Sequence, residues 1–328
     1  MEITKKKDNI DSDILNCQPT TRCEKNNNPS DDIKGLHIDD KSIENQSHNI
    51  IKHSNYDIIV LSGGSVNGLM LLGSLQYCFD NFYLNNINTY IGTSVGSIIS
   101  YLLAIGYDPS EIMSYLCINN VFDKLKFFNI VAAVNGNGAT SFYHIHEHLE
   151  KMTINKIGRL ITLKDLYTQF NKTIICTTYN LTKDKTEYLS HSTNPDLPCL
   201  TALRMSCNLP LIFENFKYNG DNYIDGGITD NFAIDLAETL GEKILGIYIN
   251  GNCSPFINMN ENGILEYIYK LMFIPISNIV QYKIKLSSIK SNIISITGNV
   301  KAFFDFNISI KERLDMFSTG YNEALKQM

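Results

Sequence analysis

Hydrophobic and polar positions divide the chain into two unequal parts. Residues 1–52 are rich in Asn, Asp, Lys and Ser and show no apolar periodicity. A segment of this composition cannot offset the entropy lost on ordering by burying apolar side chains. We therefore expect a disordered polar leader over residues 1–52, followed by one folded domain over residues 53–328.

The folded part opens with two units of the same kind, each made of a short apolar strand, a glycine-bearing loop and an apolar helix. The predicted strands are Ile58–Leu61 and Thr89–Ile91, and the helices that follow them are Leu69–Phe79 and Val95–Ile105. Short β-branched strands that alternate with helices are typical of a parallel sheet buried on both faces. The pattern predicts a three-layer α/β/α fold around a largely parallel sheet.

Further elements continue to about residue 250. We predict three strands and two helices, in chain order Thr173–Thr178, Glu187–Ser190, Cys199–Cys207 (helix), Phe232–Leu240 (helix) and Lys243–Ile249. Turn residues at positions 219–221 separate two aromatic-flanked pieces. This arrangement indicates a hairpin that ends at Asp225.

The most apolar late segment is residues 263–280, which two charged residues and a proline interrupt. These interruptions exclude a transmembrane helix. We interpret the segment as an ordinary buried or surface helix. The alternative is a helix lying in a membrane interface, with Leu265, Tyr269, Met272 and Phe273 on one face.

Composition narrows the classes of function and the compartment. The chain carries 28 Lys and Arg against 34 Asp and Glu, a formal net charge of −6. Nucleic-acid-binding proteins normally present a concentrated basic surface, so we expect no nucleic-acid partner. No apolar run of signal-peptide length follows the first residues, and the eight cysteines form no close Cys-x-x-Cys pair. These features predict an intracellular protein with reduced thiols, either cytoplasmic or peripherally attached to a membrane.

The first candidate for chemistry is Ser94, at the junction of the second strand and its helix. Gly92 and Gly96 flank it in the pattern Gly-x-Ser-x-Gly. This pattern is typical of a nucleophile elbow, a tight turn that exposes a serine hydroxyl beside the amides at the start of a helix. The alternative is a tight turn with an ordinary serine. The strand-to-helix context favours a nucleophile.

The second candidate is the loop that follows the first strand. It contains Gly63 and Gly64 and leads into a helix, so its backbone amides can approach an anion. The loop is not a P-loop, since no Gly-Lys-Ser/Thr ending follows, and Ser65 breaks the glycine spacing of a dinucleotide site. Beside a nucleophile elbow, it is better interpreted as an oxyanion hole.

The third candidate is Asp225, which ends the predicted hairpin and precedes Gly226 and Gly227. Because Asp-Gly is common in turns, a plain surface turn is the alternative. Burial that raises the pKa of the Asp225 carboxyl would let it accept the proton of Ser94. The sequence alone does not establish that contact.

The positions of the histidines distinguish two serine mechanisms. An α/β-hydrolase triad has the order Ser, acid, His, but the last histidine of this chain is His191, before Asp225. A triad through His191 would need Asp165 or Asp184 as its acid, and neither stands in a recognisable triad setting. We therefore prefer a dyad of Ser94 and Asp225.

A cluster of histidines at residues 144–148 suggests a metal site, since alternate positions on a strand share a face. No carboxylate or cysteine stands at ligand spacing. On a helix, only His144 and His148 would face the same way, which is an ordinary surface pattern. We predict no metal at this cluster.

The glycine loop, the elbow and the Asp-Gly-Gly motif occur in an order and spacing that resemble the patatin-like phospholipase family. The resemblance extends over residues 56–250 and includes Ala202–Phe213, where the family has an Ala-Ser helix leading to Pro and Phe. It implies a patatin-like fold and an enzyme that needs no metal or organic cofactor.

Carried onto this sequence, the resemblance implies a nucleophile at Ser94, a general base at Asp225 and an oxyanion hole formed by backbone amides. The amides are those of Gly63, Gly64 and Ser65, and the glycines that support the motifs are Gly68, Gly92, Gly96, Gly226 and Gly227. The implied enzyme is a serine-dependent lipid acyl hydrolase of the phospholipase A type, which cleaves fatty-acyl esters through an acyl-enzyme.

The implied partner is a phospholipid or another acyl lipid, with a peripheral contact to a membrane surface. Two positions differ from the family's usual pattern. Ser65 stands where a third glycine is usual, and Asn67 stands where a basic residue is usual. These differences leave open an alternative, a lipid-binding protein that keeps the fold with weak turnover or none.

Overall fold

The structure is a computed structural model that describes residues 56–119, 121–126, 138–251, 259–298 and 306–328, together with Asn129, Ala132 and Asn135. The predicted polar leader, residues 1–52, lies outside the described residues, so its disorder stays a prediction.

The described residues form a single mixed sheet. Its strands are β1 (Ile58–Leu61), β2 (Thr89–Thr93), β3 (Thr173–Asn180), β4 (Lys185–Leu189), β5 (Phe216–Tyr218), β6 (Asp221–Asp225), β7 (Ile244–Asn250) and β8 (Ser291–Thr297). Their order is β5-β6-β3-β2-β1-β7-β8, and β4 pairs with β3. The four contacts among β3, β2, β1, β7 and β8 are parallel, while β4, β5 and β6 pair antiparallel. The predicted largely parallel sheet is confirmed.

Helices connect most of the strands. They are α1 (Gly68–Asp80), α2 (Val95–Ala104), α3 (Pro109–Ile118), α4 (Tyr143–Ile157), α5 (Leu163–Phe170), α6 (Cys199–Ser206), α7 (Ile234–Leu240), α8 (Met259–Leu286) and α9 (Ile310–Gln327). Local sequence fixes several of their starts. Asp108 and Glu111 form a capping box at the start of α3, with Pro109 as its first residue, and Ser309 and Glu312 form another box at α9.

Two hydrophobic cores lie on opposite faces of the sheet. Successive side chains of a strand point to opposite faces, and in β1 Ile59 and Leu61 join one core while Ile58 and Val60 join the other. The first core contains residues of α1–α6 and α9. The second contains Ile234 of α7 and other residues of α7 and α8. Helices therefore cover both faces, which confirms the three-layer fold.

The sequence located most of the elements that surround the motifs. Both predicted strand-loop-helix units and the hairpin before Asp225 are confirmed. The hairpin turn has positive φ at its two central residues, 49° at Asn219 and 90° at Gly220. Turns of this kind match the twist of antiparallel strands, which is why this dipeptide signalled the hairpin.

The register of β3 brings the ends of three strands together. Thr93 of β2 pairs with Thr177 of β3, and the next residue, Thr178, pairs with Asp225 of β6. On the other side of β2, Gly92 pairs with Leu61 at the end of β1. The loops that follow β1, β2 and β6 therefore meet at one edge of the sheet, where α/β proteins usually bind ligands.

Two predictions from the sequence concern membrane-spanning helices and the state of the cysteines. Within the described part of the chain, no helix combines the length and hydrophobicity needed to cross a bilayer. The described cysteines are free thiols, and burial raises the pKa of Cys78 to about 12. They are Cys78, Cys117, Cys176, Cys199 and Cys207.

Candidate active site

Ser94 lies in a sharp turn between β2 and α2. Its backbone has φ 54° and ψ −127°, a conformation that a residue with a side chain rarely adopts. The turn is held from two sides, because the Ser94 amide donates to the Ser206 hydroxyl at 3.0 Å and Ser97 donates to the Ser94 carbonyl at 2.6 Å. The strained turn presents the Ser94 side chain at the edge of the sheet, as a nucleophile elbow does.

Asp225 is the hydrogen-bond partner of the Ser94 side chain. The Ser94 hydroxyl donates to Oδ2 of Asp225 at 2.6 Å, and the Gly227 amide donates to Oδ1 at 2.7 Å. Asp225 is only 2% exposed. Burial raises the pKa of Asp225 to about 6, although both hydrogen bonds act to lower it. The carboxylate is therefore oriented through both oxygens and poised to exchange a proton near neutral pH.

A buried polar chain supports Asp225 from the side of α6. The Asp225 amide donates to the carbonyl of Asn208 at 2.9 Å, and the Asn208 side chain donates to the Tyr223 carbonyl at 2.6 Å. Arg204 in turn donates to the Asn208 side chain at 2.6 Å. The Arg204 guanidinium lies 4.5 Å from the ring centre of Phe142, which helps to hold it in place.

The glycine loop approaches the same point from β1. The Gly63 amide donates to the Asn231 carbonyl at 3.2 Å, so it is already engaged. Among the described residues, no acceptor is bonded to the amides of Gly64 or Ser65. Ser65 has φ 50°, a left-handed conformation that suits glycine, and it begins a short 3₁₀ turn. Two of the three predicted oxyanion donors thus remain free to bind a ligand.

The motif glycines lie where other segments pass closely, with backbone atoms nearest at Gly92, Gly96 and Gly226 and side-chain atoms nearest at Gly63, Gly68 and Gly227. At each of six positions an added Cβ would come within 2.3–2.8 Å of a neighbouring atom, closer than any real contact allows, namely Gly63, Gly68, Gly92, Gly96, Gly226 and Gly227. At Gly96 the obstacle is the carbonyl of Leu61 at 2.5 Å, so the absence of a side chain lets α2 start directly against β1.

A large apolar cavity opens beside Ser94. It encloses about 1320 Å³ including its open mouth, and both Ser94 and Asp225 line it together with the glycine loop. From Ser94 the cavity follows α2 through Ile98 to Leu102, about 12 Å at the usual helical rise of about 1.5 Å per residue. Most of its lining side chains are aliphatic or aromatic. The cavity can therefore hold a long apolar group with its reactive end at Ser94.

One wall of the cavity comes from α8. Met272 and Phe273, which the sequence placed on a candidate interfacial face, are half-buried and line the cavity with Ile276. The preferred interpretation, an ordinary helix, is confirmed, and these two residues do not form an exposed interfacial face. The side chains of the other two, Leu265 and Tyr269, lie outside the described set. Among the α8 side chains that the structure describes, the exposed apolar ones are Leu271, Ile274, Ile279, Tyr282 and Leu286.

The histidines that raised other mechanisms make contacts of their own, and His148 lines the apolar cavity. The 144–148 cluster is helical, and the rings of His144 and His148 contact each other with centres 4.7 Å apart. His148 also bonds the Tyr115 hydroxyl at 2.8 Å. His191 stacks on Tyr167, with ring centres 4.0 Å apart. Across the described ranges, no group of three or more His, Cys, Asp or Glu side chains could hold a metal ion.

Three supporting residues were missed by sequence reasoning. Ser206 holds the Ser94 amide, Asn208 holds the Asp225 amide, and Asn231 holds the Gly63 amide. Each acts on the backbone of a site residue from a distant part of the chain. The signal for Asn231 was its position in the Asp-Gly-Gly segment, but the sequence offered no means of pairing it with Gly63.

Comparison with known proteins identifies the family. The family model described as patatin-like phospholipase matches residues 59–238, more than half of the chain. "Probable lipid hydrolase 463L" of Invertebrate iridescent virus 6 is 39% identical over 193 residues, which cover 57% of this chain and 65% of that protein. This chain therefore spans less than two thirds of that relative's length.

Two further matches cover more of the chain. "Uncharacterized protein R571" of Acanthamoeba polyphaga mimivirus is 31% identical over 291 residues, which cover 87% of this chain and 93% of that protein. The crystal structure of VipD from Legionella pneumophila aligns at 14% identity with a TM-score of 0.47, over 83% of this chain and 66% of that one. With its family model matched over the region that contains Ser94 and Asp225, this chain belongs to the patatin-like phospholipase family.

Proposed function

We propose that this protein is a lipid acyl hydrolase that uses Ser94 as nucleophile and Asp225 as general base. The observation that carries the proposal is the 2.6 Å hydrogen bond from Ser94 Oγ to Asp225 Oδ2 at the mouth of the apolar cavity. A serine hydroxyl needs such a partner because it is a weak nucleophile while it keeps its proton.

The first half of the reaction forms an acyl-enzyme. Ser94 Oγ attacks the ester carbonyl carbon while Asp225 Oδ2 takes the hydroxyl proton. The carbonyl oxygen becomes negatively charged, and the amides of Gly64 and Ser65 donate hydrogen bonds to it. When this intermediate collapses, the bond to the leaving alcohol breaks and Asp225 returns the proton to the alcohol oxygen. The fatty-acyl group then remains on Ser94 while its chain occupies the cavity.

The second half of the reaction releases the fatty acid. Asp225 removes a proton from a water molecule, whose oxygen attacks the acyl carbonyl carbon. The same two amides hold the second oxyanion. As the bond between the acyl carbon and Ser94 Oγ breaks, Asp225 gives its proton to Oγ and restores the free serine.

The cavity indicates the substrate class. Its apolar lining runs for about 12 Å along α2, which suits a fatty-acyl chain better than a polar or short acyl group. The name of the viral relative, a probable lipid hydrolase, agrees with this class. We extend the proposal to phospholipids as substrates, hydrolysed as by a phospholipase A. Such substrates lie in membranes, and the exposed apolar side of α8 stands beside the cavity wall that the same helix forms.

Covalent labelling combined with turnover tests this proposal. We expect a fluorophosphonate probe to label the wild-type protein, and fatty acid to be released from phosphatidylcholine vesicles. Ser94→Ala should abolish both, and Asp225→Asn should reduce both. His191→Ala is the control for a histidine-dependent triad and should behave as the wild type. Hydrolysis retained by Ser94→Ala would overturn the proposal.

The second candidate function is lipid binding without turnover, and the loop after β1 is the observation that favours it. Ser65 holds a positive φ in place of glycine, and Asn67 is buried, 2% exposed, where the family usually has a basic residue. A binding protein would take up a fluorescent fatty acid in the cavity, yet neither react with the probe nor hydrolyse esters. Covalent labelling of Ser94 with repeated turnover would eliminate this candidate.

A further inference from the structure

A largely buried ion pair connects α8 to the segment that carries Asp225. Lys283 of α8 donates to Oδ1 of Asp230 at 2.8 Å, and the side chains are 16% and 5% exposed. Lys283 also donates to Asp235 at 2.7 Å, but the Asp235 side chain is 58% exposed. Of the two ion pairs of Lys283, the one with Asp230 is therefore the less exposed to water. Its charge interaction is screened less than that with Asp235.

The second oxygen of Asp230 is bonded as well. The Tyr188 hydroxyl of β4 donates to Oδ2 at 2.7 Å. Burial and the nearby Asp230 carboxylate raise the pKa of Tyr188, so the phenol stays protonated as a donor. Burial alone would lower the pKa of Lys283, but Asp230 and Asp235 more than offset it, and the pKa is raised. The Asp230 carboxylate is thus fixed between one cation and one neutral donor.

The backbone around Asp230 touches all three parts of the candidate site. Its amide donates to the Gly226 carbonyl at 2.8 Å, and its carbonyl accepts from the Thr93 hydroxyl at 3.0 Å. Thr93 immediately precedes the nucleophile. The carbonyl of the next residue, Asn231, accepts the Gly63 amide at 3.2 Å. Any displacement of this backbone therefore moves the loop after Asp225, the turn at Ser94 and the glycine loop after β1 relative to one another.

We propose that Lys283 and Asp230 are positioning residues, which hold residues 225–231 in register with Ser94 by fastening that segment to α8. Neither residue is among those that line the cavity. The inference rests on the proposed function, since it assigns how the dyad is kept aligned. It also gives α8 a second task besides forming the cavity wall, because Lys283 is on the same helix as Met272 and Ile276.

A role in alignment is separable from a role in stability. A buried ion pair contributes little net stability over apolar side chains of similar volume, because both charges lose their hydration. Removing one partner alone is costly, since it leaves the other charge buried and unpaired. Replacing both partners removes the tether without leaving that charge. The double variant therefore distinguishes the two roles.

The experiment compares five variants of the full-length protein on p-nitrophenyl decanoate, with thermal unfolding measured on each. Lys283→Met removes the tether, and Lys283→Met with Asp230→Asn removes the tether and both charges. Lys283→Arg keeps the pair. Asp235→Asn removes only the exposed partner of Lys283 and is the matched control. Ser94→Ala defines the background and tests the proposed function separately.

We expect kcat of both Lys283→Met variants to fall by about 10- to 100-fold, as misplacement of a catalytic group by about 1 Å does, while KM stays within about two-fold. The double variant should regain the melting temperature of the wild type without regaining kcat. Lys283→Arg and Asp235→Asn should keep kcat. Wild-type kcat in Lys283→Met, or recovery of kcat together with stability in the double variant, would overturn the inference. Hydrolysis that survives Ser94→Ala would instead refute the proposed function.

Discussion

The backbone amide of Ser94 donates a hydrogen bond to the hydroxyl of Ser206, 3.0 Å away and 112 positions later in the chain. The elbow is thus held by α6 as well as by its own turn. Because the Ser94 backbone has an unfavourable φ, it persists only where its surroundings impose it. Ser206 is one of the groups that do so.

We expect Ser206→Ala to destabilise the protein by about 1–3 kcal/mol, the usual cost of leaving a buried donor without its partner. Relaxation of the elbow should also lower kcat for ester hydrolysis. Ser100→Ala is a matched control, since Ser100 is also fully buried on α2 but its hydroxyl has no partner among the described residues. Equal losses in the two variants, measured by urea unfolding, would argue against a specific role for Ser206.

The pKa of Asp225 predicts the pH dependence of activity. Burial raises this pKa to about 6, and only the ionised carboxylate can accept the Ser94 proton. We expect kcat/KM to rise as pH increases through about 6 and then to level off. The measurement is ester hydrolysis between pH 4.5 and pH 8, with stability checked at each value. An acid limb centred near the ordinary pKa of Asp, about 3.9, would contradict the assignment.

The same raised pKa predicts a stability effect of opposite direction. A carboxyl whose pKa is higher in the folded state favours folding at low pH, and this contribution is lost as pH rises from about 3.8 through about 6. At pH 8 the ionised Asp225 therefore weakens the fold. We expect Asp225→Asn to stabilise the protein at pH 8 by up to about 3 kcal/mol, at about 1.4 kcal/mol per pKa unit. The gain should shrink at pH 4.5, and an equal gain at both values would refute this account.

The depth of the cavity predicts a chain-length preference. Leu102 lies at the far end of the stretch along α2, so Leu102→Phe should shorten the space for the acyl chain. Exclusion of two methylenes costs about 1.6 kcal/mol, which corresponds to about ten-fold in kcat/KM. We expect this loss for p-nitrophenyl decanoate but not for the butyrate, which serves as the control within the same variant. Equal losses on both esters would point to general misfolding.

The proposed membrane contact would use the exposed apolar side chains of α8. Ile274 and Tyr282 are 46% and 65% exposed on this helix. We expect Ile274→Glu and Tyr282→Glu each to weaken sedimentation with phosphatidylcholine vesicles by about ten-fold, since burying such a side chain is worth about 1.5–3 kcal/mol. Hydrolysis of p-nitrophenyl butyrate should not change. Leu325→Glu on α9 is a control, because Leu325 is 56% exposed on another helix.

Local sequence predicted the elements that carry the chemistry. The run Ile58–Leu61 and the Gly-x-Ser-x-Gly pattern mark the ends of β1 and β2 because buried strands and tight turns have strong local preferences. Asn219 and Gly220 mark the hairpin before Asp225 for the same reason. These signals arise within a few residues, so a single sequence contains them.

The contacts that complete the site could not be predicted in this way. Asn208 and Ser206 reach the backbones of Asp225 and Ser94 only because α6 packs against β3, and that packing depends on the whole core. The apolar positions of α8 were also ambiguous. Met272 and Leu271 are neighbours in sequence, yet one lines the cavity and the other is 50% exposed. Periodicity cannot assign faces on a helix that is apolar on two sides.

The register of β3 has a consequence for how this protein can vary. Thr177 aligns with Thr93, and Thr178 aligns with Asp225, so main-chain hydrogen bonds set the separation of Ser94 and Asp225. Side chains of the helices, by contrast, shape the cavity. In the proposed function, the strand register therefore aligns the reacting groups, whereas helix side chains that line the cavity, such as Leu102, select the acyl chain. Substitutions confined to those lining side chains should change the preferred substrate while the strand register is kept.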